Sequence, residues 1–217
     1  MDKYSSFRRM KEYEQEGIDY RLRWHIGGSG IAILCIHGGD IEPGTSQIAD
    51  GIAGNDHTFY TLEGLKKAGN RALHITSTAF DEPVALQIVA QSEIIISIHG
   101  CSDTAEVVYV GGLDEELRGR IQKALCEAGF GAADSSKPDL CGLDQANVCN
   151  LCGRGMGVQL EISRGLRSRL FHSLTIEGRE QPSEAFHRFV QAVRDAIEPF
   201  KRPSKEWPET LGSEIWT

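Results

Sequence analysis

Ile31-Ala-Ile-Leu-Cys-Ile-His-Gly-Gly39 is a run of six apolar residues that ends on a histidine and two glycines. A strand with one wet face alternates apolar and polar residues, so an unbroken run predicts a strand covered on both faces. The same pattern returns at Glu93-Ile-Ile-Ile-Ser-Ile98, followed by His99 and Gly100. Around these two anchors strands and helices alternate. Tyr20 to Trp24 reads as an edge strand, and Arg71 to Thr76, Glu106 to Val110 and Gly157 to Ile162 read as further strands. Helical spacing covers Ser6 to Gln15, Thr45 to Gly54, about Pro83 to Gln91 with Asp81 as its cap, and Leu113 to Ala128, which stops at Gly129. A last helix opens after Ser183 and carries Phe186, Phe189, Val190, Val193 and Ile197 on one face.

This alternation predicts an α/β fold, a mixed, mostly parallel sheet flanked by helices. The hairpin-like spacing of residues 93–110 supplies the antiparallel part. The 217 residues, 40% hydrophobic, are expected to make one catalytic domain spanning 1–217, with its core at about 20–200 and a tail at 201–217 lying over the body. Lys and Arg number 23 against 31 Asp and Glu, a formal charge of −8, which argues against a nucleic acid or an anionic membrane as partner. No apolar run approaches the roughly 18 residues of a membrane span, and Met1 to Gly17 lacks the apolar segment of a signal peptide. The product is therefore expected to be made in the cytoplasm, as a monomer.

The chemistry begins where the two apolar runs end. His37 and His99 each follow a strand and precede Gly, which puts both imidazoles at strand ends, where open α/β sheets form their ligand crevice. If the strands are neighbours, the two rings can share one ion. Glu42 lies five residues beyond His37 in Gly38-Gly-Asp-Ile-Glu-Pro-Gly44, and the glycines allow that loop to fold back. Two His and one Glu form a catalytic zinc set with an open fourth position. Asp40 competes with Glu42 on spacing alone.

Glu161 sits among apolar neighbours in Val158-Gln-Leu-Glu-Ile162 and faces either solvent from an edge strand or a site. Ser163-Arg-Gly-Leu-Arg167 brings two cations beside it, and arginine suits a substrate carboxylate. Of the six cysteines, Cys35 reads as a buried thiol. Cys149 and Cys152 could be free, bonded, or half of a metal site with Cys126 and Cys141. His57, His74, His172 and His187 show no ligand spacing.

Several passages together resemble a known family. His37-Gly-Gly-Asp-Ile-Glu-Pro-Gly-Thr-Ser46, Tyr60 to Gly64, Phe80-Asp-Glu-Pro83, Ile98-His-Gly100 and Gly157-Val-Gln-Leu-Glu-Ile-Ser-Arg-Gly-Leu-Arg167 look like the phage and bacillus poly-γ-glutamate hydrolases. The resemblance runs from about Tyr20 to Val193. It implies a zinc-carboxypeptidase-like open sandwich, Zn²⁺ on His37, Glu42 and His99, Glu161 as general base, and Arg164 and Arg167 near substrate carboxylates. The polyanionic polymer also directs attention to Arg154 and Arg169 as cations of the groove. The implied activity is hydrolysis of γ-glutamyl amide bonds by a capsule depolymerase set free on host lysis. A zinc carboxypeptidase or amidase acting on short peptides or cell-wall fragments, and a polymer-binding module without turnover, are the alternatives.

Overall fold

The structure, a computed structural model, describes residues 2–135 and 137–203. In chain order its main elements are α1 (Phe7–Met10), β1 (Tyr20–His25), β2 (Ile31–Gly39), α2 (Thr45–Ala53), β3 (Thr58–Gly64), α3 (Pro83–Gln91), β4 (Ile94–Cys101) and β5 (Val107–Gly111). These are followed by α4 (Glu115–Glu127), β6 (Gly131–Ala133), β7 (Val158–Ser163), α5 (Arg164–Leu170), α6 (Ile176–Arg179) and α7 (Glu184–Ile197). Among the described residues the strands form a seven-stranded sheet in the order β1-β3-β2-β4-β7-β5-β6. The centre, β3-β2-β4-β7, is parallel, while β1 runs antiparallel to β3 and β5 antiparallel to β7.

The apolar runs are continuous because each strand feeds two cores. Ile31, Ile33 and Cys35 enter one core with α2, α4, α5 and α7, whereas Ala32, Leu34 and Ile36 enter a second core with α1 and α3. β4 and β7 follow the same rule on the first face, with Ile94, Ile96 and Ile98 beside Val158, Leu160 and Ile162. On the other face the apolar positions give way to Ser97, His99, Gln159 and Glu161, all buried and brought together by the register that pairs Ser97 with Gln159 and His99 with Glu161. A polar patch thus opens at the carboxyl ends of the parallel strands, next to the second core.

Several expectations are corrected. The segment 71–76 is not a strand: Asn70–Leu73 is a 3-10 turn, and the chain beyond it spends its backbone groups on Asp2 and His37 rather than on a ladder. The first helix covers only Phe7–Met10. Glu82, not Asp81, caps α3, accepting from the amides of Val84 and Ala85, while Asp81 accepts from the amide of Arg8. β4 and β5 do not form a hairpin, because β7 lies between them. β3 and β6 are additional strands. Of the expected tail, residues 204–217 lie outside the described residues. No helix among the described residues is long and apolar enough to cross a membrane.

Candidate metal centre

β2 and β4 are neighbours, so their two histidines meet. A bulge between Cys35 and Gly38 breaks the alternation of β2 at its end. His37 is thereby delivered to the backbone of Ile75, whose carbonyl accepts from Nε2 at 2.9 Å. With Nε2 donating to that carbonyl, Nδ1 is the nitrogen left to face Glu42, whose charge raises the ring's pKa against the effect of burial, and a metal ion would take the place of its proton. Nδ1 of His37 lies 3.1 Å from Nδ1 of His99, whose Nε2 is bonded to Ser97 Oγ at 2.7 Å.

The Gly38–Gly44 loop does fold back. Gly39 and Gly44 take positive φ, and the amide of Glu42 donates to the carbonyl of His37 at 3.0 Å. Glu42 therefore returns, with Oε1 3.4 Å from Nδ1 of His37 and Oε2 accepting from the amide of Gly100 at 2.7 Å. Ligand atoms of His37, Glu42 and His99 all lie within 4.8 Å of one another. Asp40 is instead paired with Arg179 at 2.7 Å.

The donor set fits zinc. Two nitrogens at about 2.0–2.1 Å from a tetrahedral ion stand roughly 3.3 Å apart, close to the Nδ1–Nδ1 separation found here. Each ring's other nitrogen is held by an outer partner, the arrangement that orients metal-ligating histidines. Burial, assisted by the neighbouring His37, pulls the pKa of His99 down to about 3, so its lone pair is available at neutral pH. Burial alone would raise Glu42, but the charge and hydrogen bond of His37, helped by the Gly100 amide, carry it down to about 2 and keep it an anion.

Glu161 stands beside His99 on β7, only 7% exposed, outside the ligand cluster. Its Oε1 accepts from Nε2 of Gln159 at 3.0 Å, and Gln159 is itself oriented by Asn147, whose Nδ2 donates to Oε1 at 2.9 Å. Burial, with the Glu42 charge, pushes Glu161 up to about 8.

A cleft of about 740 Å³ meets the cluster at Glu42 and Gly100, with Arg71, His74, Arg164, Arg167 and His172 among its other walls. Glu42 is its one carboxylate among the described residues, in a chain whose formal charge is −8. Arg71 and Arg164 are exposed and have no side-chain partner among the described residues.

The arginines proposed from sequence separate. Arg164 lines the cleft. Arg167 lines it too, but its guanidinium is turned onto backbone carbonyls. Arg154 does not reach the site: it pairs with buried Asp114 at 2.8 Å and lines a different pocket with Glu93 and Ile94, at the opposite end of β4 from His99. Arg169 pairs with Glu106. The six cysteines are free thiols, and Cys149 and Cys152 are buried in the second core.

His74 was silent in sequence yet belongs to the site. Its ring stacks on His37 with centroids 3.9 Å apart, its Nδ1 meets Asp2 Oδ1 at 2.8 Å, and Nε2 lies 3.9 Å from Glu42. Ser97 and Gln159 could have been found, since each precedes a site residue by two and so shares its strand face. Asp2, His74 and the Ile75 carbonyl had no such signal, because an irregular chain brings them.

The family model described as poly-gamma-glutamate hydrolase matches residues 4–192. The chain belongs to this family. Among its relatives in Bacillus subtilis (strain 168), the SPbeta prophage-derived UPF0714 protein YoqZ is 37% identical over 198 residues, covering 90% of this chain and 72% of the relative. The UPF0714 protein YndL is 36% identical over 195 residues, 88% of this chain and 76% of its own length. Among solved structures, a bacteriophage poly-gamma-glutamate hydrolase superposes with a TM-score of 0.89 at 29% identity, over 92% of this chain and 98% of that one. YndL in its zinc-free apo form gives a TM-score of 0.86 at 35% identity, over 91% and 98%.

Proposed function

We propose that this protein is a zinc-dependent hydrolase of the γ-glutamyl amide bonds of poly-γ-glutamate. One observation carries the reading: His37, His99 and Glu42 converge, and Glu42 lines a cleft whose other charged side chains among the described residues are all cations. The poly-γ-glutamate hydrolase family match supports the substrate class, and the zinc-free description of the YndL structure supports the metal.

His37 Nδ1, His99 Nδ1 and a Glu42 oxygen would hold the ion. When bound, zinc acts as a Lewis acid and lowers the pKa of a coordinated water towards about 7. Glu161, held by Gln159, takes the proton of the attacking water and passes it to the leaving amine nitrogen. Burial holds its pKa above the ordinary carboxylate range in the metal-free protein, and a neighbouring dication would bring it down, so that Glu161 enters the reaction as a carboxylate and can still hand the proton on. Each γ-linked residue carries one free carboxylate, and Arg71 and Arg164, without a side-chain partner among the described residues, offer guanidiniums to receive such groups. Hydrolysis of purified polymer, followed by sizing of the products, tests the reading. Shortened chains are expected, and turnover of short peptides alone would favour a peptidase.

The pKa directions give a check without substrate. In the metal-free protein Glu161 is mostly protonated at pH 7, whereas a dication beside it favours the carboxylate. Zinc loading at pH 7 is expected to release about one proton from this group. Calorimetry in buffers of different ionisation enthalpy measures the release, and Glu161→Gln should remove that part of it. An identical release from the variant would place the proton elsewhere.

A further inference from the structure

Arg167 sits in α5, the short helix that directly follows the strand of Glu161, and is 4% exposed. Its Nε donates to the carbonyl of Ile162 at 3.1 Å, Nη1 to that of Pro43 at 2.6 Å and Nη2 to that of Cys101 at 3.0 Å. Each acceptor adjoins a residue of the site: Pro43 follows Glu42, Cys101 stands two beyond His99, and Ile162 follows Glu161. One guanidinium therefore touches the three segments that supply the carboxylate ligand, one imidazole ligand and the base. The fit is close, since a Cβ at Gly100 would fall 2.8 Å from the guanidinium carbon. The glycine after His99 is thus the space the guanidinium occupies.

We propose that Arg167 is a positioning residue for the metal centre, fixing Glu42, His99 and Glu161 relative to one another, rather than a cation that grips substrate. The proposal rests on the zinc reading above and concerns how the site is held. Three donors in a rigid planar fork match three carbonyls from different segments, a geometry a lysine ammonium cannot reproduce. The charge stays beside Glu42 and Glu161, so the clamp places a cation next to both carboxylates without neutralising either by direct pairing.

The experiment compares Arg167→Lys and Arg167→Ala with the parent in the full chain, reading zinc retention against a competing chelator, the visible spectrum after cobalt substitution, and kcat and KM. Both variants are expected to lose zinc affinity and kcat by about 10- to 100-fold, the range seen when outer partners of metal ligands are removed, with KM within about twofold. The cobalt spectrum should shift, and guanidinium added below denaturing concentration should restore zinc retention in Arg167→Ala. The proposal is overturned if KM rises about tenfold or more while kcat, zinc retention and spectrum stay at parent values, the pattern of a lost substrate contact. It is equally overturned if nothing changes, or if the variants are unfolded with and without zinc, which would assign Arg167 to the core. Zinc retention and the spectrum need no polymer, so a wrong substrate assignment leaves this test intact.

Discussion

Glu161→Gln is expected to keep its zinc and to lower kcat by about 10²- to 10⁴-fold, the usual share of a general acid–base group. The amide fills the carboxylate's volume and lies outside the cluster of His37, Glu42 and His99, so metal content should be unchanged. Gln159 would still face it as a hydrogen-bond partner. On the proposed mechanism, what disappears is the lone pair that takes a proton from water and the acid that returns it to nitrogen. KM should move little, because Glu161 is buried and the cleft's cations, Arg71 and Arg164, are untouched. Metal analysis together with steady-state kinetics on the polymer decides this. Normal turnover by a zinc-loaded Gln variant would remove Glu161 from the mechanism.

His99→Ala removes one of the two imidazoles and is expected to reduce hydrolysis to background by emptying the site. The stability readout is sharper than the activity alone. At free zinc 100 times Kd the parent gains about 2.7 kcal/mol from the metal, seen as a rise in melting temperature, whereas the variant should gain far less. The comparison is between increments on adding zinc, since deletion of a buried ring has a cost of its own in the metal-free protein. A variant that still gains the full increment would show that His99 is not a ligand.

The two predictions draw on unequal amounts of sequence information. Both histidine ends were legible because a doubly buried strand leaves an uninterrupted apolar run and the turn that follows must be polar or glycine. Glu42 was legible through its glycines, whose positive φ at Gly39 and Gly44 folds the loop back. β3 was not. Its seven residues are all buried, yet they include Thr58, Thr61 and Glu63, which break the apolar pattern. Glu63 is tolerable there because Arg21 and Arg23 reach it from β1, with Arg21 its register partner, and a pairing between strands leaves no trace in a local window. The arginines show the same limit. A cluster of cations after Glu161 suggested a substrate grip, but whether a guanidinium faces solvent, a carboxylate or a backbone carbonyl depends on segments far away in the chain. Arg164 faces the cleft, Arg167 clamps Pro43 and Cys101, and Arg154 neutralises buried Asp114 at the far end of β4. His74 was hidden for a related reason: Asp2, 72 residues earlier, holds it against His37.

A crystal of the zinc-loaded protein, measured on both sides of the zinc absorption edge, tests the central claim most directly. One anomalous peak is expected, about 2.0–2.2 Å from Nδ1 of His37, Nδ1 of His99 and an oxygen of Glu42, with Glu161 beside it but not bound to it. A peak held by other residues, or none at this cluster in protein shown to contain zinc, would contradict the account.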